Sequence, residues 1–155
     1  MKIVLVTNVL VAGLLSPFGP CGEIVRMVSS SEVTLCFDAL ILAEYSEVLF
    51  RSKFGFNKER VAALLEHIEH RGYTVASSPL RHSLPDPDDE PFLKVAVAGK
   101  AACLVTGNAS HFPAKLSQGR KILSPNGFLT FYKRQGVGTG LAIRHQEMKA
   151  ERTKV

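Results

Sequence analysis

Pro85-Asp86-Pro87-Asp88-Asp89-Glu90-Pro91-Phe92-Leu93-Lys94-Val95-Ala96-Val97-Ala98 crowds four carboxylates into a proline-punctuated turn and then runs into an almost wholly apolar helix. Asp88 or Asp89 is expected to cap that helix, because a short carboxylate accepts from the free N–H groups of a first turn and a proline there loses no hydrogen bond. A cap needs one acid, and this turn has four. The surplus reads either as a solvated helix start or as an acidic site at the mouth of a core.

Working outward, Ala101-Ala102-Cys103-Leu104-Val105 follows as an apolar strand that ends in Thr106-Gly107-Asn108, and Gly72-Tyr73-Thr74-Val75-Ala76 precedes the turn as another. The β-branched run Ile3-Val4-Leu5-Val6 suits a strand buried on both faces, and Thr7-Asn8 offers a cap for a helix through Leu15. A second helix carries Ile24, Val25 and Val28, and Val33-Thr34-Leu35-Cys36-Phe37 reads as a strand. Asp38 is placed to cap a helix over Ala39 to Arg51, and Asn57 one through His70, whose His67 and His70 are expected on the exposed face. Lys121-Ile122-Leu123 and a short helix with Phe128, Leu129 and Phe131 complete the pattern.

Strands alternating with helices predict an α/β fold with a central parallel sheet of about five strands, covered on both faces. In such sheets ligands gather beyond the carboxyl ends of the strands. That pole would collect Thr7 and Asn8, the acidic turn, and Thr106 to Asn108. Glu44 joins them as a candidate: Leu40, Ile41 and Val48 lie three or four positions away, and an ionised carboxylate on an apolar face is costly unless paired or bound to metal. The alternative is a rim residue that reaches solvent. Glu47 has a simpler role, pairing with Arg51 one turn on.

The composition, 46% hydrophobic and 21% charged over 155 residues, is that of one globular domain. Residues 1–134 read as that domain, and residues 135–155 as a basic, glycine-rich and flexible C-terminal tail. Net charge is +5, but Lys133, Arg134, Arg144, Lys149, Arg152 and Lys154 face only Glu147 and Glu151, so most of the excess lies near the C-terminus. Composition is therefore weak support for a polyanionic partner. The apolar runs are too short to span a bilayer and no cleavable signal is evident, so a cytoplasmic protein without membrane contact is expected. Cys21, Cys36 and Cys103, widely spaced among apolar neighbours, suit buried free thiols.

Carboxylates gathered at one pole repel each other, and a divalent cation or a shifted proton relieves them. Hard oxygen donors favour Mg2+ or Mn2+, which could position a phosphodiester and activate water. No glycine-rich phosphate loop or Ser-His-Asp arrangement is present. A phosphate-accepting acidic pocket is the least favoured reading, since no motif supplies a lysine near the acidic pole.

Leu5-Val6-Thr7-Asn8-Val9-Leu10, Leu42-Ala43-Glu44-Tyr45-Ser46-Glu47-Val48-Leu49, Asp86-Pro87-Asp88-Asp89 with Phe92-Leu93, and Leu104-Val105-Thr106-Gly107-Asn108 resemble, in order, the motifs of the PIN domain family. More narrowly they resemble the toxin components of prokaryotic toxin–antitoxin pairs. The resemblance covers roughly Met1 to Tyr132. It implies a three-layer α/β/α fold and Mg2+- or Mn2+-dependent cleavage of RNA. It assigns Glu44 and Asp89 to the catalytic acidic cluster, with Asp86 as a further metal ligand. Asn108 stands where the family often has aspartate, and could orient water or metal through its amide oxygen. Thr7 and Thr106 would be hydroxyl donors, and Asn8 either a supporting group or purely a cap. A homodimer and a cognate antitoxin partner are also implied. The departure is Val6, at the position of the family's most characteristic aspartate: it offers no metal-binding atom. An impaired enzyme, or an inactive PIN-like module that binds RNA or a protein partner, is the corresponding alternative.

Overall fold

β1 (Lys2–Leu5) is the central strand, with Ile3, Val4 and Leu5 fully buried. In the computed structural model, which describes residues 1–135, it pairs in parallel with β2 (Thr34–Phe37) on one side and β4 (Cys103–Val105) on the other. β3 (Tyr73–Thr74) and β5 (Ile122–Leu123) extend the sheet to the order β3-β2-β1-β4-β5, parallel throughout. Register aligns Ile3 with both Leu35 and Cys103, and Leu5 with Val105. The five strands and the all-parallel order agree with the expectation.

Six helices flank the sheet among the described residues: α1 (Thr7–Leu15), α2 (Pro20–Ser29), α3 (Ala39–Leu49), α4 (Lys58–Arg71), α5 (Glu90–Ala98) and α6 (Pro125–Gln135). The result is a three-layer α/β/α domain. α1 and α2 cross closely because Gly13 has no side chain; a Cβ there would lie 2.7 Å from the Cys21 carbonyl oxygen. α5 packs on β1, β2 and β4 through Phe92, Leu93, Val95 and Ala96. Burying each large apolar side chain contributes roughly 1.5–3 kcal/mol, so the acidic turn at the start of α5 hangs from a firmly seated helix.

Several local expectations change. Thr7 and Asn8 do not cap α1: both lie inside it, and extended Val6 holds the cap position without a side-chain bond. Neither Asp88 nor Asp89 caps α5; the Asp86 carboxylate caps the preceding 3-10 turn, Pro87–Asp89. The buried stripe of α3 is Ile41, Tyr45 and Leu49, with Leu40 69% exposed, so Glu44 borders the apolar face. His67 is half-buried, its Nε2 2.8 Å from the Val28 carbonyl oxygen, whereas His70 is exposed. The caps by Asp38 and Asn57 are present, on Ile41 N–H and Arg60 N–H. All three cysteines are free, and burial pushes the Cys103 thiol up to about 12. The expected basic tail lies outside the described residues apart from Gln135, the last residue of α6. No single helix among the described residues is long and apolar enough to cross a membrane.

Candidate metal centre

The sheet order reverses direction at β1: the chain moves outward through β2 and β3, then returns to place β4 on the other side. Backbone segments leaving β1 and β4 therefore diverge, and a crevice opens beyond their carboxyl ends. A cleft of about 570 Å³ occupies it. Val6, Thr7, Asn8, Glu44, Asp86, Asp89, Thr106 and Asn108 all line this cleft.

On the β1 side, α3 is tied down by the buried Tyr45 hydroxyl, which donates to the Leu5 carbonyl oxygen at 2.6 Å. Burial, with the charge of Glu44 next, raises the Tyr45 phenol far above its ordinary value, so it stays a donor at any physiological pH. This anchor holds Glu44 above the start of α1, where the Thr7 hydroxyl donates to its carboxylate. Thr7 and Val6 are only 7% and 8% exposed.

The opposite wall begins at the acidic turn. Asp86 Oδ1 accepts from Asp88 N–H at 2.9 Å, and Glu90 accepts from Leu84 N–H at 3.0 Å, folding two of the four acids into the backbone of the turn. Asp89 makes no cap bond and turns inward, its side chain 18% exposed. Its Oδ2 is buried and, among the described residues, has no hydrogen-bond partner. Burial raises the Asp89 pKa; His111 works against that shift, and Asp86 and Asp88 add to it.

Beyond β4, the Thr106 hydroxyl, itself 4% exposed, accepts from Asn108 N–H at 3.1 Å. A 3-10 turn, Ala109–His111, then folds His111 back toward Asp89, and buried Phe112 fixes its far end. His111 Nδ1 lies 3.1 Å from Asp89 Oδ2, close enough for an ion pair but not aligned as a hydrogen bond. On the ring's other side Nε2 is 2.8 Å from Asn108 Nδ2, and Ser110 Oγ is 2.6 Å from Asn108 Oδ1. Asn108 is thereby tied to His111 and Ser110, its amide oxygen accepting from the Ser110 hydroxyl.

Ligand atoms of Asp86, Asp89 and His111 lie within 4.8 Å of one another, a set able to hold a cation. Glu44 faces the same cleft but is not in that set; its carboxylate accepts from the Thr7 hydroxyl. An orphaned, buried carboxylate oxygen beside further oxygen and nitrogen donors fits a divalent ion. His111, Arg51 and Lys53 also line the cleft, and none was marked by sequence motif. Arg51 pairs with Glu47 at 2.8 Å, as expected, while Lys53 lines the cleft with its ammonium over the Phe54 ring. His111 was in principle findable as the third residue beyond Asn108 at a strand's carboxyl end.

No curated protein and no solved structure matches the chain significantly. A family model described as a PIN domain matches residues 2–110, a span that takes in β1 through β4, the acidic turn and the Asn108 loop. That span carries every residue of the cleft's lining except His111, and by it the chain belongs to the PIN domain family.

Proposed function

We propose that this chain is a metal-dependent endoribonuclease. Membership of a nuclease-type family supports the general class, and the observation that carries the reading is the buried Asp89 Oδ2 at the wall of the strand-end cleft, without a hydrogen bond among the described residues and 3.1 Å from His111 Nδ1. Asp86 and Asp89 would hold Mg2+ or Mn2+, with Glu44 across the cleft. The bound ion supplies Lewis acidity toward phosphate and a lowered pKa for water. Arg51 and Lys53 at the rim offer positive charge to the backbone of an incoming strand. Thr106 and Thr7 keep the two strand ends in place, and the bulk of Phe92, also lining the cleft, limits water on its inner side.

Purified protein incubated with labelled RNA should cleave it in Mn2+ and lose that activity in chelator. Cleavage that ignores the chelator would contradict the reading. Val6 favours a second reading, a module that binds RNA or a protein without cutting, because the β1 end presents a methyl-lined wall to the cleft. RNA bound but left intact at saturating Mn2+ would select it. In the narrower form of the proposal the chain is the toxin of a cytoplasmic toxin–antitoxin pair, homodimeric and restrained by a cognate antitoxin.

A further inference from the structure

The metal-dependent reading leaves open which atoms select the ion, and the answer lies in the loop after β4. We propose that His111 is itself a ligand, so that Asp86, Asp89 and His111 form a mixed nitrogen–oxygen site preferring Mn2+ and similar transition cations over Mg2+. The inference rests on the reading above for its role in turnover, but concerns binding alone.

Two donors held side by side on an octahedral ion at about 2.1 Å each are about 3.0 Å apart. His111 Nδ1 and Asp89 Oδ2 are separated by 3.1 Å, and no aligned N–H joins them. Asp86 completes a trio within 4.8 Å, its other role being to cap the 3-10 turn Pro87–Asp89. The loop bearing His111 is equally fixed: Phe112 is buried, and the Ser117 hydroxyl bonds its carbonyl oxygen at 3.2 Å.

For Nδ1 to bind a cation, Nε2 must carry the ring proton and needs an acceptor. Asn108 can provide one. Its amide oxygen and nitrogen exchange places by a half-turn, after which Oδ1 accepts from Nε2–H and Nδ2 donates to Ser110 Oγ, a hydroxyl that serves as donor or acceptor. The same heavy-atom positions thus serve a ligating imidazole. An imidazole nitrogen suits Mn2+ and later transition ions better than Mg2+, which prefers oxygen throughout. It also supplies a donor where the β1 end, with Val6, supplies none.

The test uses the full, metal-free chain, titrated calorimetrically with Mn2+ and with Mg2+, and pulsed EPR of the Mn2+-loaded protein to detect nitrogen coupling. Wild type should show one imidazole nitrogen on Mn2+. H111Q should lose it and bind Mn2+ at least roughly tenfold more weakly, with Mg2+ affinity changed less. H111D should regain affinity through oxygen, show no nitrogen coupling, and narrow the preference for Mn2+. No nitrogen coupling in wild type, or the same coupling in H111Q, overturns the assignment. If circular dichroism shows H111Q unfolded, H111D decides: persisting coupling overturns, its loss supports. Mn2+ bound through His111 without RNA cleavage would remove the nuclease reading and keep the ligand. Mn2+-dependent cleavage with no nitrogen coupling would do the reverse.

Discussion

At the end of β1, Thr7 donates to Glu44, Tyr45 donates to Leu5, and Val6 lines the cleft with methyl groups beside exposed Asn8. Across the cleft, the acidic turn and the end of β4 bring Asp86, Asp89 and His111 together and leave a buried carboxylate oxygen without a hydrogen bond. A buried acceptor without a hydrogen bond is costly in proportion to its desolvation, a cost that the His111 ring at 3.1 Å partly offsets. The difference teaches that the two walls answer to different demands. The β1 wall pairs its polar groups within the protein, whereas the β4 wall sets a carboxylate oxygen without a hydrogen bond beside other ligand atoms.

The strongest way to break this contrast is to make the β1 wall resemble the other. Val6→Asp places a carboxylate at the cleft surface close to the start of α1. Groups merely supporting a metal site already command roughly 10–100-fold, so a new direct ligand should raise Mn2+-dependent RNA cleavage by about 100-fold or more. Without metal the same variant should unfold more easily, because the new charge is nearly buried beside Glu44. A Val6→Asp protein that stays inert and binds Mn2+ no better would show that the two walls do not share one ion.

Much of this arrangement could be read from the chain, and what could not has a physical reason. Parallel strands buried on both faces leave continuous apolar runs, so β1, β2 and β4 are legible, and their shared pole follows from topology alone. Asp86, Asp89 and Asn108 were placed at that pole for the same reason, Glu44 by its position on the apolar side of its helix, and all four line the cleft. His111 left no such mark. Its nearness to Asp89, 22 positions earlier, depends on one 3-10 turn, and no periodicity records a contact of that kind. The cap was misplaced because the three neighbouring aspartates are equivalent by propensity, and only the turn's φ and ψ select Asp86. Leu40 fails as core for a related reason: a helix resting on a sheet buries one narrow stripe, and Tyr45, with its hydroxyl satisfied by Leu5, takes the place a simple apolar count gives to Leu40.

A smaller effect sharpens the contrast from the β4 side. Asn108→Asp offers His111 Nε2–H a permanent acceptor in place of an amide that must turn over. An imidazole so held is more basic at Nδ1, and Mn2+ affinity should rise about tenfold, read by calorimetry. Mg2+ affinity should rise by less. Equal gains for the two ions would mean that the added charge acts at long range and that His111 is not its intermediary.

The smallest expected effect concerns the protein with no metal at all, in chelator. Burial raises the Asp89 pKa above its unfolded value, with Asp86 and Asp88 reinforcing the shift and His111 opposing it. A carboxyl whose folded pKa is raised binds its proton more tightly in the native state than in the unfolded chain, so it destabilises the fold once ionised. That penalty is full above the folded pKa and disappears as pH falls below the unfolded one. Asp89→Asn removes it, and no cap bond is lost with it, since the Asp89 side chain makes none in α5. The variant should therefore melt slightly above wild type near pH 8, and the gap should close on acidification through the carboxylate range. Added Mn2+ should reverse the order, stabilising wild type and leaving the variant almost unmoved. A variant that melts lower than wild type in chelator would mean that Asp89 already stabilises the empty fold, and the β4 wall would then pair its groups within the protein as the β1 wall does.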